Sequence, residues 1–176
     1  MTAKMTTKSK NVVKLSASLP HKSSIDLSAK TRSEIAALLN ARAADATNLY
    51  IHTKLSHWNV RGPAFIALHE LFDKAASEIS EHADSLAERV AQLGGVTDGT
   101  AEQIAKTSIL PTFKTGLSKG PEVVAALAKS WAAFANQIRA DIDTADAKGD
   151  AVTSDLFTQI AGEADKMLWF IEAHLQ

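Results

Sequence analysis

The sequence predicts an all-α protein in which four long helices form a single bundle. Only eight of its 176 residues are glycine and four are proline, so few positions interrupt helix formation. Apolar residues make up 45% of the chain and charged residues 22%, a balance typical of one folded domain of ordinary size. The segments with helical periodicity are separated by a short break, a long one and another short one. That order of breaks limits how the helices can be connected.

The first two predicted helices are joined by a short break. The first should run from about residue 28 to 57, where apolar residues recur near the helical period without glycine or proline. The sequence NVRGP at residues 59–63 then ends it. The second should run from about residue 64 to 93 and end at Gly94 and Gly95. A short connection of this kind joins antiparallel neighbours.

A long connection separates the second helix from the third. Within it, Thr100 is a suitable N-cap for one short helix. Pro121 suits the first position of a third long helix over about residues 121–148, and a fourth runs from about residue 152 to the C-terminus. A long crossover joins parallel helices, whereas a short loop cannot. We therefore predict a ferritin-like four-helix bundle with a short helix in the crossover between helices 2 and 3, the alternative being a four-helix bundle of other connectivity.

The composition excludes several classes of protein. The chain has no cysteine, which rules out disulfides and thiolate metal sites and is compatible with a reducing cytosol. No apolar run approaches the roughly 18 residues that a membrane-spanning helix needs. The N-terminus has lysines but no apolar segment of the signal-peptide type. We expect no membrane partner.

Basic residues are concentrated at the N-terminus. Residues 1–22 contain no Asp or Glu, so all 20 acidic residues lie in the rest of the chain. We predict a flexible Lys-rich tail over residues 1–25 and a bundle domain over residues 26–176. The tail is either a solubilising terminus or an arm that binds a polyanion, with many copies on one assembly adding avidity. The lysines concerned are Lys4, Lys8, Lys10, Lys14 and Lys22.

Two pairs of metal-ligand residue types lie on the second predicted helix. The stretch LHELFDKAASEISEHADSLAERV contains His69 and Asp73, and then Asp84 and Glu88, each pair with spacing i, i+4. On a helical wheel the four fall on one stripe that is clear of the apolar face. A solvated acidic face is the ordinary explanation of such a stripe. A metal site is the alternative.

The distance along the helix decides what form a metal site would take. Asp73 and Asp84 are eleven residues apart, or about 16 Å at a rise of about 1.5 Å per residue. One ion cannot contact both pairs, because its ligands lie about 2 Å away. A two-fold antiparallel pairing would bring His69 and Asp73 of one chain to the second pair of another. The wheel thus predicts a site shared between subunits for iron, zinc or manganese. The sequence HELFD also resembles the zinc-protease motif HExxH, with Asp73 in place of the second histidine.

A much longer match carries a family resemblance. The sequence LSHWNVRGPAFIALHELFDKAASEISEHADSLAERVAQLGG, with MLWFIEAHL near the C-terminus, resembles the Dps family, the mini-ferritins known as DNA-binding proteins from starved cells. The resemblance covers the chain from about residue 28 to the end. It implies a hollow shell of twelve subunits that oxidises Fe(II), preferably with hydrogen peroxide, and stores ferric iron. It also implies non-specific DNA binding and a cytoplasmic, nucleoid-associated location.

The resemblance assigns roles to individual residues. The family's ferroxidase ligands fall on five residues, which are His57, His69, Asp73, Asp84 and Glu88. The first three would come from one subunit and the last two from its two-fold mate. Asp84 and Glu88, with His57 of the partner subunit, would bind the tighter iron. His69 and Asp73 would form a weaker second position. Zinc is a possible substitute for iron.

Several further residues have candidate roles, and the first four have two explanations each. Trp58 follows His57 directly and, by the resemblance, would supply an electron or quench a radical; otherwise it is a packing anchor. Three acidic residues near the junction of helices 3 and 4 would line a three-fold pore, or else serve as helix caps and solubilising charges; they are Asp146, Asp150 and Asp155. Three glutamates extend the acidic face and would guide or nucleate iron; they are Glu70, Glu78 and Glu81. Three histidines are expected to be surface or hydrogen-bonded residues; they are His52, His82 and His174.

Three functional hypotheses follow. The first is a peroxide-consuming ferroxidase and iron store that protects DNA. The second is a DNA-compacting nucleoid protein whose metal site is secondary, with Lys4, Lys8, Lys10 and Lys14 as its DNA contacts. The third is a helical assembly whose acidic stripe is only structural. Removing the lysine tail should abolish DNA binding and leave iron oxidation intact, which separates the first two hypotheses. The size of the assembly in solution tests the third.

Overall fold

Five helices follow one another along the part of the chain that the structure describes, residues 16–176 of a computed structural model. They are α1 (Ala29–Asn59), α2 (Phe65–Gln92), α3 (Ala101–Thr107), α4 (Gly120–Ala147) and α5 (Ala151–Glu172), with a final 3-10 turn at Ala173–Leu175. Within residues 16–176 there is no strand, only one isolated β-bridge between Arg61 and Lys119. The all-α prediction, with a short helix in the long crossover, is confirmed. None of these helices is both long and apolar enough to cross a bilayer.

Side chains at the helix N-termini explain where three of the helices begin. The Ser28 hydroxyl caps α1 by accepting a hydrogen bond from the amide of Thr31 at 3.0 Å. Thr100 caps α3 as predicted, and Asp150 caps α5. Because α4 begins at Gly120, Pro121 lies in its second position, where its fixed φ and missing N–H still suit the first turn.

The bundle consists of two helical hairpins. The turn at residues 60–64 joins α1 to α2, and the turn at residues 148–150 joins α4 to α5. The crossover at residues 93–119 carries α3 and brings α4 against α1. The predicted apolar face of α2 is buried as expected, along its length from Leu68 to Val90. The largest fully buried side chains of the core are Trp131, Phe72, Phe134 and Phe157.

Residues 16–28 form an irregular segment that packs on the bundle. The amide of Ala17 donates to the carbonyl of Ser33 at 3.0 Å, and the amide of His21 donates to the carbonyl of Gly94 at 3.2 Å. Gly94 ends α2 with a φ of +86°, and a Cβ there would lie 2.5 Å from the carbonyl oxygen of His21. Ala17 and His21, which lie within the range predicted as tail, therefore contact the bundle. The four predicted DNA-binding lysines lie outside the described residues.

A buried ion pair ties α2 to the start of α5. Asp150 is only 2% exposed, and its carboxylate accepts two hydrogen bonds from Arg89 at 2.9 and 3.1 Å. It also accepts from the amide and the hydroxyl of Thr153 at 3.1 and 2.6 Å. Asp150 therefore caps α5, which is one of the two roles that the sequence allowed for it, and its place in a pore stays a prediction. Asp146 and Asp155 are exposed, and their place in a pore stays a prediction.

Replacing Asp150 is expected to destabilise the protein. Asp150→Asn keeps an oxygen for the cap but removes the charge that the buried Arg89 guanidinium needs, which should cost about 1–3 kcal/mol. Asp146→Asn is the matched control, since its side chain is exposed. Thermal unfolding of the two variants measures the difference, and equal midpoints would contradict the structural role given to Asp150.

Candidate metal centre

His57 and His69 face each other across the α1–α2 turn. His57 lies near the end of α1 and His69 in the first turns of α2, and their rings stack with centroids 3.7 Å apart. The His57 Nδ1 lies 2.8 Å from the His69 carbonyl oxygen, and the His69 Nδ1 lies 2.9 Å from the His57 carbonyl oxygen. A carbonyl oxygen only accepts, so each Nδ1 donates. In the neutral ring the lone pair is then on Nε2, which is the arrangement of a metal-binding histidine.

Asp73 lies one turn further along α2 and completes a group of three. Its Oδ1 is 3.9 Å from His57 Nε2 and accepts a hydrogen bond from Lys54 Nζ at 2.8 Å. This hydrogen bond and the charge of Lys54 hold the pKa of Asp73 below its usual value, so the carboxylate is ionised at neutral pH. We call His57, His69 and Asp73 the half-site. Its carboxylate is already paired with a cation, the ammonium group of Lys54.

Lys54 was not among the residues predicted for the site. It lies three residues before His57 on α1, so helical spacing places the two on one face. That spacing was the available signal. The salt bridge to Asp73, however, depends on how α1 and α2 align, which the periodicity of either helix alone does not give.

Asp84 and Glu88 lie away from the half-site within the same chain. Both are exposed on α2, which continues without a break from Phe65 to Gln92. The unbroken helix keeps Asp73 and Asp84 about 16 Å apart along the axis, as the wheel assumed. We call Asp84 and Glu88 the carboxylate pair. Three of the five predicted ligands thus come together in one chain and two do not.

Large apolar side chains are exposed around the half-site. Trp58 is 58% exposed and Ile66 is 61% exposed. The Lys54 ammonium lies 5.8 Å from the centre of a Trp58 ring. Trp58 is therefore not buried within its own chain, and its role stays a prediction. Exposed apolar groups beside an incomplete ligand set are what a surface buried by another subunit would present.

Glu88 shares a groove with one of the predicted pore residues. The groove lies between α2 and α5, has a volume of about 300 Å³, and is lined by Glu88 and Asp155 among others. Arg89 and Gln92 also line it, so basic, amide and acidic side chains meet there. Of the carboxylate pair, Glu88 therefore lines a groove that is open to solvent.

Two of the remaining histidines are buried. His52 Nδ1 lies 3.0 Å from the Ser130 hydroxyl, which confirms the expectation that this histidine is hydrogen-bonded. Burial lowers the pKa of His52, so it is neutral at pH 7. His82 was also expected to be a surface or hydrogen-bonded residue, and this is wrong. The residue is 7% exposed, and its Nε2 has no hydrogen-bond partner.

Comparisons with known proteins agree with the fold. The model of the ferritin-like domain family matches residues 36–176. The DNA protection during starvation protein of Agrobacterium fabrum is 40% identical over 156 residues, 89% of this chain and 96% of its own length. The structure of Mycobacterium smegmatis Dps in a tetragonal form superposes with a TM-score of 0.84 at 32% identity, covering 88% of this chain and 94% of that one. The structure of DpsA14 from Streptomyces coelicolor gives 0.86 at 27% identity, with 92% and 95% covered. A chain with this bundle and these relatives belongs to the Dps family of ferritin-like proteins.

Proposed function

We propose that this protein oxidises Fe(II) with hydrogen peroxide at sites shared between two subunits and stores the ferric product in a dodecameric shell. The observation that carries the proposal is the half-site, in which both histidines have Nε2 available beside an ionised carboxylate. The carboxylate pair on the same helix needs a second chain to reach it. Membership of the Dps family supports a protective role, as does the name of the Agrobacterium fabrum relative.

The residue types suit iron as the substrate. Imidazole and carboxylate together bind Fe(II), and carboxylates stabilise the ferric state as hard anionic ligands. Asp84 and Glu88, with His57 of the partner subunit, would bind the tighter iron, and His69 with Asp73 the weaker one. Lys54 would give up Asp73 when the weaker iron binds. Zinc is expected to compete for the same ligands.

The proposed reaction balances with two irons for each peroxide. Each Fe(II) loses one electron, the O–O bond of hydrogen peroxide breaks, and two protons from solvent complete two water molecules. Delivery of both electrons at one site avoids release of a hydroxyl radical. We propose that Trp58 donates an electron or quenches a radical when only one iron is bound, which its position next to His57 and its exposure support.

The test is anaerobic loading of the metal-free protein with Fe(II), followed by half an equivalent of hydrogen peroxide per iron. We expect rapid growth of ferric absorbance, with the iron eluting in a shell-sized particle on a sizing column. Asp84→Ala with Glu88→Ala should slow oxidation to the rate in buffer. Glu102→Ala with Glu172→Ala is the matched control, since it removes the same charge from exposed positions to which no role in iron binding is assigned. Equal rates in the two double variants would refute the site.

DNA binding is the second activity that we propose, and it rests on the lysine tail. The five lysines of residues 1–22 occur without a single acidic residue. Lysines of this kind neutralise phosphates and release counterions without a fixed fold, and twelve copies on one shell would add avidity. Such binding would place the protein on the nucleoid, in the cytoplasm. The alternative, a DNA-compacting protein with a secondary metal site, uses the same tail.

Deleting residues 1–15 is expected to abolish retardation of DNA in a gel while iron oxidation stays unchanged. The deletion removes Lys4, Lys8, Lys10 and Lys14, and with them most of the tail's charge. A full-length variant with these four lysines changed to Gln is the control for chain length, and it should also fail to retard DNA. Binding by the unaltered protein should weaken steeply between about 50 and 200 mM salt. Retardation that survives the four Lys→Gln changes would place the DNA contacts elsewhere.

A further inference from the structure

Glu78, His82 and Glu163 form a compact group of metal-ligand residues away from the half-site. Glu78 and His82 are one turn apart on α2, and Glu163 lies on α5. Each offers one ligand atom, and the three atoms all lie within 4.8 Å of one another. Among residues 16–176 it is the only group of three or more His, Asp or Glu with this geometry.

The buried Nε2 of His82 is an independent indication of a ligand-binding site. Its Nε2 is buried and lies 3.2 Å from a Glu163 carboxylate oxygen, yet at an angle that makes no hydrogen bond. A buried polar atom without a partner is destabilising, and native structures contain few of them. A cation between the nitrogen and the carboxylates would satisfy all of them together.

The surroundings of the group leave negative charge partly uncompensated. Burial raises the pKa of Glu78, and the nearby charge of Glu163 raises it further, with Glu81 adding a smaller effect. Lys74 and Lys166 act in the opposite direction. The charges of three glutamates and two lysines thus act around the His82 ring. Within the described chain, no lysine ammonium group forms an ion pair with Glu78 or Glu163.

The group is separate from the proposed ferroxidase site. At about 100° per residue, Glu78 and His82 lie more than about 100° around α2 from the middle of the stripe that holds Asp73, Asp84 and Glu88. They face α5 instead. The ferroxidase ligands need a second chain, whereas these three residues come together within one chain. The group therefore does not depend on the two-fold pairing.

We propose that Glu78, His82 and Glu163 bind a second divalent transition-metal ion, which links the two helical hairpins of one chain. One imidazole and two carboxylates are a ligand set for Zn(II), Mn(II) or Fe(II), and the exposed side of Glu163 leaves positions for water. Because the ion joins α2 to α5, its binding stabilises the folded chain by mass action. This inference does not rest on the proposed function.

The test uses zinc and the full-length protein carrying Asp84→Ala and Glu88→Ala, which removes the carboxylate pair. In equilibrium dialysis, adding Glu163→Gln should remove one zinc per chain or weaken its binding at least about tenfold. Glu163 is exposed, so this variant should fold; Glu172→Gln, exposed on the same helix, is the matched control. His82→Ala should also lose this zinc.

Thermal unfolding gives the second measurement. Zinc should raise the unfolding midpoint of the parent and of the Glu172→Gln variant, but raise that of the Glu163→Gln variant clearly less. Equal zinc content in the Glu163→Gln and Glu172→Gln variants would overturn the proposal, whatever His82→Ala does. These measurements need neither iron nor peroxide, so their failure is distinct from failure of the ferroxidase proposal.

Discussion

Combining two inactive variants in one assembly is expected to restore about a quarter of the iron-oxidising sites. His57→Ala with Asp73→Ala destroys the half-site, and Asp84→Ala with Glu88→Ala destroys the carboxylate pair. In a mixed two-fold dimer, one site combines the damaged half-site with the damaged carboxylate pair. The other site combines the intact half-site with the intact carboxylate pair. If chains pair at random, half of the dimers are mixed, and about one site in four is complete.

The experiment is co-expression of the two double variants with different affinity tags, followed by purification through both tags. Each variant alone should oxidise iron at the rate in buffer, and the mixed assembly should regain peroxide-dependent ferric absorbance. Pre-formed assemblies mixed without subunit exchange are the control and should stay inactive. Mixed assemblies that remain inactive, beside a normally active unaltered protein, would show that the site is not shared in this way.

The complementation is expected because α2 is continuous between its two predicted ligand pairs. A helix that ran without interruption from Phe65 to Gln92 could be predicted from the sequence, since periodicity and breaks are local properties. The wheel then placed Asp73, Asp84 and Glu88 on a face clear of the core, and all three are exposed. The proposed division of the ligands between two chains rests on the rise per residue, which keeps one ion from contacting both pairs, and on a two-fold antiparallel pairing.

Contacts between helices could not be predicted in the same way. The bond between Lys54 and Asp73 depends on the alignment of α1 with α2, and the pair of Arg89 with Asp150 depends on that of α2 with α5. A helical wheel describes one helix at a time, so it does not predict how two helices align. His82 was expected to be a surface or hydrogen-bonded residue, and the wheel gave no sign that Glu163 would face it.

The N-terminal segment shows a similar limit. Composition alone assigned residues 1–25 to a tail, because lysine, serine and threonine predominate there. A few individual contacts nevertheless pack part of that range against the bundle. Ala17 and Leu19 pack against the core, and the Ser33 hydroxyl donates to the Ala17 carbonyl at 2.6 Å. Composition averages over a window and misses such individual contacts.

Arg42 is a buried cation on which two buried carboxylates depend. Its guanidinium lies 3.0 Å from Asp45 and 3.3 Å from Asp141, and all three side chains are nearly inaccessible to solvent. Asp45 also accepts a hydrogen bond from the amide of Ile109 at 2.8 Å, which fixes the crossover to α1. Burial raises the pKa of both Asp45 and Asp141, and the charge of Arg42 is the largest influence that lowers them again. The cluster joins α1, the crossover and α4 through one guanidinium.

Arg42→Met is expected to destabilise the protein by about 3–5 kcal/mol, because it leaves two buried carboxylates without a counter-charge. For a chain of this size the unfolding midpoint should fall by roughly 6–20 °C. Arg139→Met is the matched control: it breaks the exposed ion pair with Asp165, and such pairs contribute about 0–1 kcal/mol. A midpoint for Arg42→Met as high as that of Arg139→Met would contradict the role given to the cluster.

The destabilisation by Arg42→Met should depend on pH with a definite sign. In the variant, the folded-state pKa values of Asp45 and Asp141 rise further above the ordinary value of 3.8, since the main lowering influence is gone. A carboxyl group whose pKa is raised by folding favours the folded state at low pH and loses that contribution as pH rises through the folded pKa. The gap in unfolding free energy between the variant and the unaltered protein should therefore narrow as pH falls from 7 toward 4.

Unfolding measured at both pH values checks this, and the gap for Arg139→Met should stay small throughout, because its partner Asp165 is exposed. A gap that widened at low pH would mean that the carboxylates of Asp45 and Asp141 do not depend on Arg42.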